Sequence, residues 1–225
     1  MRISVIVPAL DEAAILPATL YNVLAQSPHE IIVVDGGSTD ETVAIAKAAG
    51  VRLLKSERGR AVQMNAGAAI ATGEALLFLH ADCRLEDGAI REIARILSSR
   101  SVVAGCFRMA IQDRGLLYRS IAWCATARVK LFGIIYGDQG LFVRRDRFMQ
   151  SGGFPKLRLM EDVWLSLRLR RIGPIRVALK RIFVSTRRWQ KKGIIRQTLR
   201  NWALTAAAAV GVHPDRLARF YPNVR

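Results

Sequence analysis

The chain has 225 residues, 51% of them hydrophobic, and a formal net charge of +17. That length and apolar content exclude a disordered polyelectrolyte and leave room for one large domain, with or without an appendage. The 35 Lys and Arg against 18 Asp and Glu point to a polyanionic partner, which nucleic acid, an anionic membrane surface or phosphorylated ligands would each satisfy.

Residues 1–10, M-R-I-S-V-I-V-P-A-L, superficially resemble a short export signal, but Asp11 and Glu12 interrupt the apolar run and no small-residue cleavage region follows. Residues 3–7 are therefore predicted as a first strand ended by Pro8. Residues 14–26 follow as a helix, with Pro17 tolerated in or near its first turn. Residues 31–41, I-I-V-V-D-G-G-S-T-D-E, organise the rest. Four β-branched residues predict a buried strand that stops at Asp35, and Gly36 and Gly37 allow a sharp turn. Ser38 and Glu41 have the S-x-x-E spacing of a capping box, so a helix is expected from there to Gly50. Residues 51–54 predict a short strand, 61–71 a small-residue helix closed by Gly73, and 75–79 a buried strand followed by His80-Ala81-Asp82. This alternation calls for a parallel sheet with right-handed crossovers.

After Ser98 the rhythm changes. Residues 102–109 read as a strand turning away to a second layer, 116–132 as a helix, 140–144 as a strand, and 160–171 as an approximately amphipathic helix. From Thr186 the chain is strongly basic, and Ile195, Leu199, Trp202, Ala206 and Val210 form a stripe at helical spacing. The longest weakly polar run, 202–212, is too short to span a bilayer, so a soluble or peripheral protein is expected. Cys83, Cys106 and Cys124 lack C-x-x-C spacing and read as buried or free thiols in a reducing compartment, with no zinc site.

Acidic residues fall at or just past predicted strand ends, or before a helix: Glu12, Asp35, Asp82 and the pair Glu161-Asp162. Carboxylates facing a phosphate repel it unless a hard divalent cation lies between, which suits Mg²⁺ or Mn²⁺. Arg58 and Arg60 would then hold the remaining phosphate charge. Ordinary roles compete with these. Asp35 would serve as a turn cap, Asp162 as an ion-pair partner of Arg168 or Arg171, and Asp40 as helix-dipole compensation. His29 and His213 read as surface residues, and Asp138 as a loop-turn residue.

Taken together, V-I-V-P-A-L-D-E, V-V-D-G-G-S-T-D-E-T, F-L-H-A-D, G-D-Q-G at 137–140, G-G-F-P, M-E-D and R-R-W at 187–189 resemble the inverting family 2 glycosyltransferases of GT-A fold. More narrowly, they resemble the bacterial subgroup found beside radical-SAM proteins and linked to arsenosugar biosynthesis. The resemblance implies a Rossmann-like α/β fold, with a mixed, mostly parallel sheet flanked by helices. It implies a transferase domain over 1–189 and a basic helical extension over 190–225, packed on the domain or on a membrane surface.

The same resemblance implies roles. Pro8, Ala9, Leu10, Glu12 and Asp35 would line the nucleotide pocket, with Arg60 reaching the nucleotide or its diphosphate. Asp82 would be the metal-binding acid for Mg²⁺ or Mn²⁺, and Asp162 the general base. Glu161 and Gln139 would shape the acceptor side, and Arg188 and Trp189 would stand near the leaving diphosphate. Three positions depart from the family pattern. Gly36 replaces the second acid of Asp-Asp-Gly-Ser, His80 the first acid of D-x-D, and Ser185 the Gln of Q-x-x-R-W, which argues against a processive polymerase. The implied partners are a nucleotide-sugar donor and an acceptor hydroxyl, at a cytoplasmic location. The basic tail reads first as a helix packed on the core with its basic face in water, and alternatively as a contact with anionic lipid at the inner face of the plasma membrane.

Other classes fit less well. A nucleic-acid-binding protein suits the charge, but aromatics are only 7% and no recognisable nucleic-acid motif appears. A dinucleotide enzyme lacks G-x-G-x-x-G after its first strand. A sugar-nucleotide pyrophosphorylase lacks the Gly-rich arginine loop.

Overall fold

The computed structural model describes residues 1–111 and 115–185, together with residues 200, 203, 207, 212, 216 and 217. The first half alternates strand and helix: β1 (Ile3–Ala9), α1 (Leu16–Leu24), β2 (Glu30–Asp35), α2 (Thr42–Ala48), β3 (Arg52–Lys55), α3 (Arg60–Ile70) and β4 (Ala75–Phe78). Then come β5 (Cys83–Leu85), α4 (Ala89–Leu97), β6 (Ala104–Ile111), α5 (Leu116–Phe132), a 3₁₀ turn (Gly137–Gln139), β7 (Phe142–Arg144), α6 (Arg145–Gln150), α7 (Glu161–Ile172) and β8 (Ile175–Val184). The eight strands form one sheet in the order β3-β2-β1-β4-β7-β6-β8-β5. β1 pairs in parallel with β2 and β4, as do β2 with β3 and β6 with β8. The antiparallel pairs are β4 with β7, β6 with β7 and β5 with β8.

Both faces of the sheet are covered, which is why its first strands read as unbroken apolar runs. Val5, Val7, Ile31, Val33 and Leu77 point into one core. Their alternating neighbours Ile6, Ile32, Val34, Leu76 and Phe78 point into the other. α3 lies close on the second face because it carries a glycine there. A Cβ on Gly67 would stand 2.6 Å from Ile6 Cγ2 and 2.9 Å from Val34 Cγ2.

Three expectations need correction, and a fourth element went unread. Residues 104–111 do not leave for a second layer; β6 joins the same sheet, between β7 and β8. Pro8 does not end β1, which runs one residue further and pairs Pro8 with Val34 and Ala9 with Asp35. The capping box does not form: α2 begins after Glu41 with no side-chain cap, and Ser38 Oγ instead accepts the Asp11 N–H at 3.0 Å. Competition from a neighbouring loop explains that outcome, since Ser and Thr hydroxyls serve whichever backbone donor lies closest. The fourth concerns β8, which the sequence reading passed over because Arg and Lys interleave its apolar residues (I-R-V-A-L-K-R-I-F-V).

Candidate active site

β1 has β2 and β3 on one side and β4 on the other. The chain therefore winds one way from β1 and then returns across it, and the crevice beyond the carboxyl ends of β1 and β4 is a topological switch point. A cleft opens there, lined by Pro8, Ala9, Leu10 and Glu12 after β1, Arg60 and Gln63 on α3, and His80, Ala81 and Asp82 after β4.

Polar contacts between two loops fix the β1 end. The Thr39 N–H donates to Asp11 Oδ1 at 2.8 Å, Glu12 N–H to Thr42 Oγ1 at 2.8 Å, and Ala13 N–H to Asp40 Oδ2 at 3.0 Å. Asp11 holds φ 51°, in the left-handed region. The Thr42 hydroxyl bond is the chief reason that the Asp40 carboxyl is held below its ordinary value. Asp11 and Asp40 thus clamp the loop, a role that no sequence motif announced. Gln63 is another residue that sequence reasoning missed. Buried at the base of the cleft, it donates from Nε2 to the carbonyls of Ala9 and Val34, both at 2.8 Å.

Asp35 is 2% exposed. Its carboxylate accepts the N–H groups of Gly37 at 3.1 Å and Ser38 at 3.0 Å, so in this structure it caps its own turn.

The second half of the chain packs beside the end of β4. β7 runs antiparallel to β4, with Leu77 opposite Phe142, so the segment preceding β7 arrives beside the end of β4. That segment is the Gly137–Gln139 turn. The Gly137 N–H donates to Asp162 Oδ2 at 2.5 Å, and a Cβ on Gly137 would lie 2.7 Å from His80 Nε2 and 3.3 Å from Asp162 Oδ2. His80 and Asp162 therefore pack against one residue without a side chain. Glu161 and Asp162 occupy the first turn of α7, where the helix dipole favours negative charge.

Glu161 is 2% exposed, and Arg60 Nη1 approaches its Oε1 at 3.3 Å. This ion pair joins α3 to α7. Burial raises the Glu161 carboxyl above its ordinary value, Arg60 opposes the rise and neighbouring Asp162 adds to it. Gln139 is fully buried. Its Oε1 accepts from Arg128 Nη2 at 2.5 Å and from the Tyr136 N–H at 3.3 Å, while the Arg128 guanidinium lies 3.4 Å from the Tyr136 ring centroid. Its amide is thus directed into the protein, and what it fixes is the turn that holds Gly137.

One group of metal-ligand side chains occurs among the described residues. His80, Asp82 and Cys83 bring a ring nitrogen, a carboxylate oxygen and a sulfur within 4.8 Å of one another. Arg188 and Trp189, and the stripe from Ile195 to Val210, lie outside the described residues. Of the described C-terminal residues, Leu217 is buried against Met160 and Val163 at the start of α7. No helix among the described residues is long and apolar enough to cross a membrane.

Comparison with known proteins adds three findings. Residues 4–154 match the family model described as Glycosyl transferase family 2. The chain is 44% identical over 88 residues to the PGL/p-HBAD biosynthesis glycosyltransferase of Mycobacterium bovis (strain BCG / Pasteur 1173P2), covering 35% of this chain and 34% of that one. It is also 24% identical over 159 residues to the undecaprenyl-phosphate 4-deoxy-4-formamido-L-arabinose transferase of Sodalis glossinidius, covering 65% and 49%. The chain thus spans a third to a half of the length of these relatives. Among solved structures, S. aureus TarS 1-349 in complex with UDP-GlcNAc superposes with a TM-score of 0.66 at 20% identity, covering 82% of this chain and 58% of that one. At that identity the likeness is one of fold.

Proposed function

Because the chain belongs to glycosyl transferase family 2, we propose that it transfers a sugar from a nucleotide-sugar donor to an acceptor hydroxyl, with inversion at the anomeric carbon. The observation that carries this reading is the arrangement around the cleft. Arg60, His80 and Asp82 line it, and the Glu161-Asp162 pair packs beside them through the Arg60–Glu161 ion pair and the shared Gly137 contact. An in-line displacement needs little more than one base on the acceptor side and positive charge on the leaving-group side.

In this reading Asp162 takes the proton from the attacking hydroxyl. Its Oδ2 is oriented by the Gly137 N–H, which leaves the carboxylate further lone pairs for the acceptor. Pro8, Ala9, Leu10 and Glu12 form the nucleotide wall, and Arg60 meets the diphosphate. Asp35 contributes by holding the 36–38 turn, and Gln139 shapes the acceptor side through the Gly137 turn. Arg188 and Trp189, outside the described residues, are assigned to the leaving-group side by their motif alone. Asp82 and His80 offer an oxygen and a nitrogen donor close enough to share one divalent cation, and Mg²⁺ or Mn²⁺ fits them with the donor's phosphates completing the shell. When bound, the ion would neutralise charge on the departing diphosphate. Cys83, Cys106 and Cys124 form no disulfide with one another, which suits a reducing, cytoplasmic setting.

Calorimetric titration of a nucleotide diphosphate panel, with and without Mn²⁺, tests the donor half of the reading. Metal-dependent binding of one nucleotide is expected. The Asp162→Asn variant should bind that nucleotide with unchanged affinity and lose turnover of the matching nucleotide sugar by about 10²-fold or more. Turnover at the wild-type rate in the variant would remove Asp162 from its role. Absence of any nucleotide binding would reject the transferase site.

A further inference from the structure

α5 has two faces of different chemistry. Tyr118, Ala125 and Val129 are buried against the sheet, whereas Leu116, Trp123 and Leu131 are 77%, 72% and 68% exposed. At 3.6 residues per turn these three side chains fall within an arc of about 80°. They form an outward stripe along the whole helix, with Arg119 and Lys130 on its flank and no Asp or Glu anywhere between Leu116 and Phe132. Beside the stripe, between α5 and β6, lies a groove of about 520 Å³, with Met109 and Ile111 on its wall and Arg108 at its rim. Isolated exposed apolar residues on a soluble protein need no explanation, but three large ones aligned on one helix face, a tryptophan among them and an apolar groove beside them, mark an interaction surface.

We propose that this face of α5 docks on an anionic lipid bilayer. The chemistry fits each layer of such a surface. Leu116 and Leu131 enter the boundary of the acyl chains, Trp123 sits at headgroup level, and Arg119, Lys130 and Arg108 meet the lipid phosphates. The absence of acids removes the repulsion that would otherwise cancel that attraction. A second copy of the chain is a poorer occupant, because symmetric pairing of this face would bring its cationic flanks together in apolar surroundings. Nucleic acid is poorer still, because the aliphatic residues of the stripe offer nothing to stack on or hydrogen-bond with. The surface is made of residues other than the basic stretch after Thr186, and it is linked to the Gly137 turn through α5 itself. Arg128 on that helix holds Gln139 and Tyr136, and the turn they define carries Gly137 against Asp162. A docked α5 would hold the acceptor side of the cleft close to the bilayer.

Co-sedimentation of the full chain with phosphatidylcholine vesicles, with and without phosphatidylglycerol, tests the proposal. Binding is expected only with the anionic lipid, weakening with added salt. The combined Leu116→Ser, Trp123→Ala, Leu131→Ser variant should lose at least about tenfold in vesicle affinity, since each deletes apolar area placed in the interface. Arg119→Glu with Lys130→Glu should cost about fivefold per residue. All five positions are exposed, so both variants should keep the wild-type melting temperature and nucleotide affinity. Three outcomes would overturn the proposal. In one, both variants bind vesicles as wild type does while Lys191→Glu with Lys192→Glu abolishes binding. In another, the wild-type chain fails to sediment with any vesicle. In the third, light scattering finds a lipid-free dimer that the apolar variant abolishes.

Discussion

Gly137 shows how much of the site depends on a missing side chain. His80 and Asp162 come from opposite halves of the chain and pack on the same glycine, 2.7 and 3.3 Å from where its Cβ would stand. Gly137→Ala must push one of them aside. We expect donor turnover to fall by at least about tenfold, which corresponds to about 1.4 kcal/mol of transition-state stabilisation. Nucleotide affinity without metal should stay close to wild type, because the cleft wall at Pro8–Glu12 is untouched, whereas displacement of His80 would weaken the metal-dependent part. Steady-state kinetics beside calorimetry separate these effects, and unchanged turnover would show that the packing is not catalytic. Legibility at this scale was uneven. Asp82, Asp162 and Arg60 could be named from their types and positions; Arg60 and Asp82 line one cleft, and Asp162 packs on Gly137 beside His80. Asp11, Asp40 and Gln63 could not be found, because their work is to hold backbone groups that only the folded chain supplies.

At the scale of elements, two joints can be probed. The first is the seat of α3 on β1 and β2. A methyl on Gly67 meets Ile6 Cγ2 and Val34 Cγ2 inside contact distance, and neither branched side chain has space to retreat in a close-packed core. Gly67→Ala should therefore destabilise the protein by about 1–3 kcal/mol, despite alanine's better helix propensity. Denaturant titration would measure the loss, and a stabilised variant would mean that α3 sits further out.

The second joint is Glu30 at the start of β2. It accepts from the Ser4 hydroxyl at 2.7 Å and from the Thr72 N–H and hydroxyl at 2.6 and 2.8 Å, while Arg52 pairs with it at 2.5 Å. Burial pushes its carboxyl up, but these bonds outweigh burial and bring it down to about 2. A lowered carboxyl contributes stability that is present above its unfolded value, 4.5, and is lost as pH falls toward about 2. Glu30→Gln should cost about 1–2 kcal/mol at neutral pH. It should also flatten the acid limb of a plot of melting temperature against pH; a limb of unchanged slope would mean that Glu30 is not the group responsible.

For the whole molecule, the sheet separates three thiols by environment. Cys83 and Cys106 are buried and Cys124 is half-buried on α5. Burial pushes the Cys106 thiol up to about 12, and a thiol kept protonated is unreactive. In the native protein Ellman's reagent should label Cys124 alone, Cys124→Ser should leave nothing that labels quickly, and all three should label in guanidinium. Rapid native labelling of Cys106 would mean that the sheet opens between β7 and β8.

What the sequence determined by itself is the first half of the fold. The runs at 3–7, 31–35 and 75–79, each with a helix between, admit few arrangements besides a parallel sheet, because local periodicity and handedness leave few others. It also placed the helix 116–132 at its observed bounds. Tertiary structure alone decided the rest. The antiparallel β7 brings Gly137 to the end of β4, β8 enters the sheet despite its basic residues, and Ser38 serves Asp11 in place of its own helix. These outcomes depend on partners far along the chain, and the physical reason is the same in each. A backbone or side-chain polar group takes the best partner that folding brings within reach, and spacing along the sequence cannot say which one that will be.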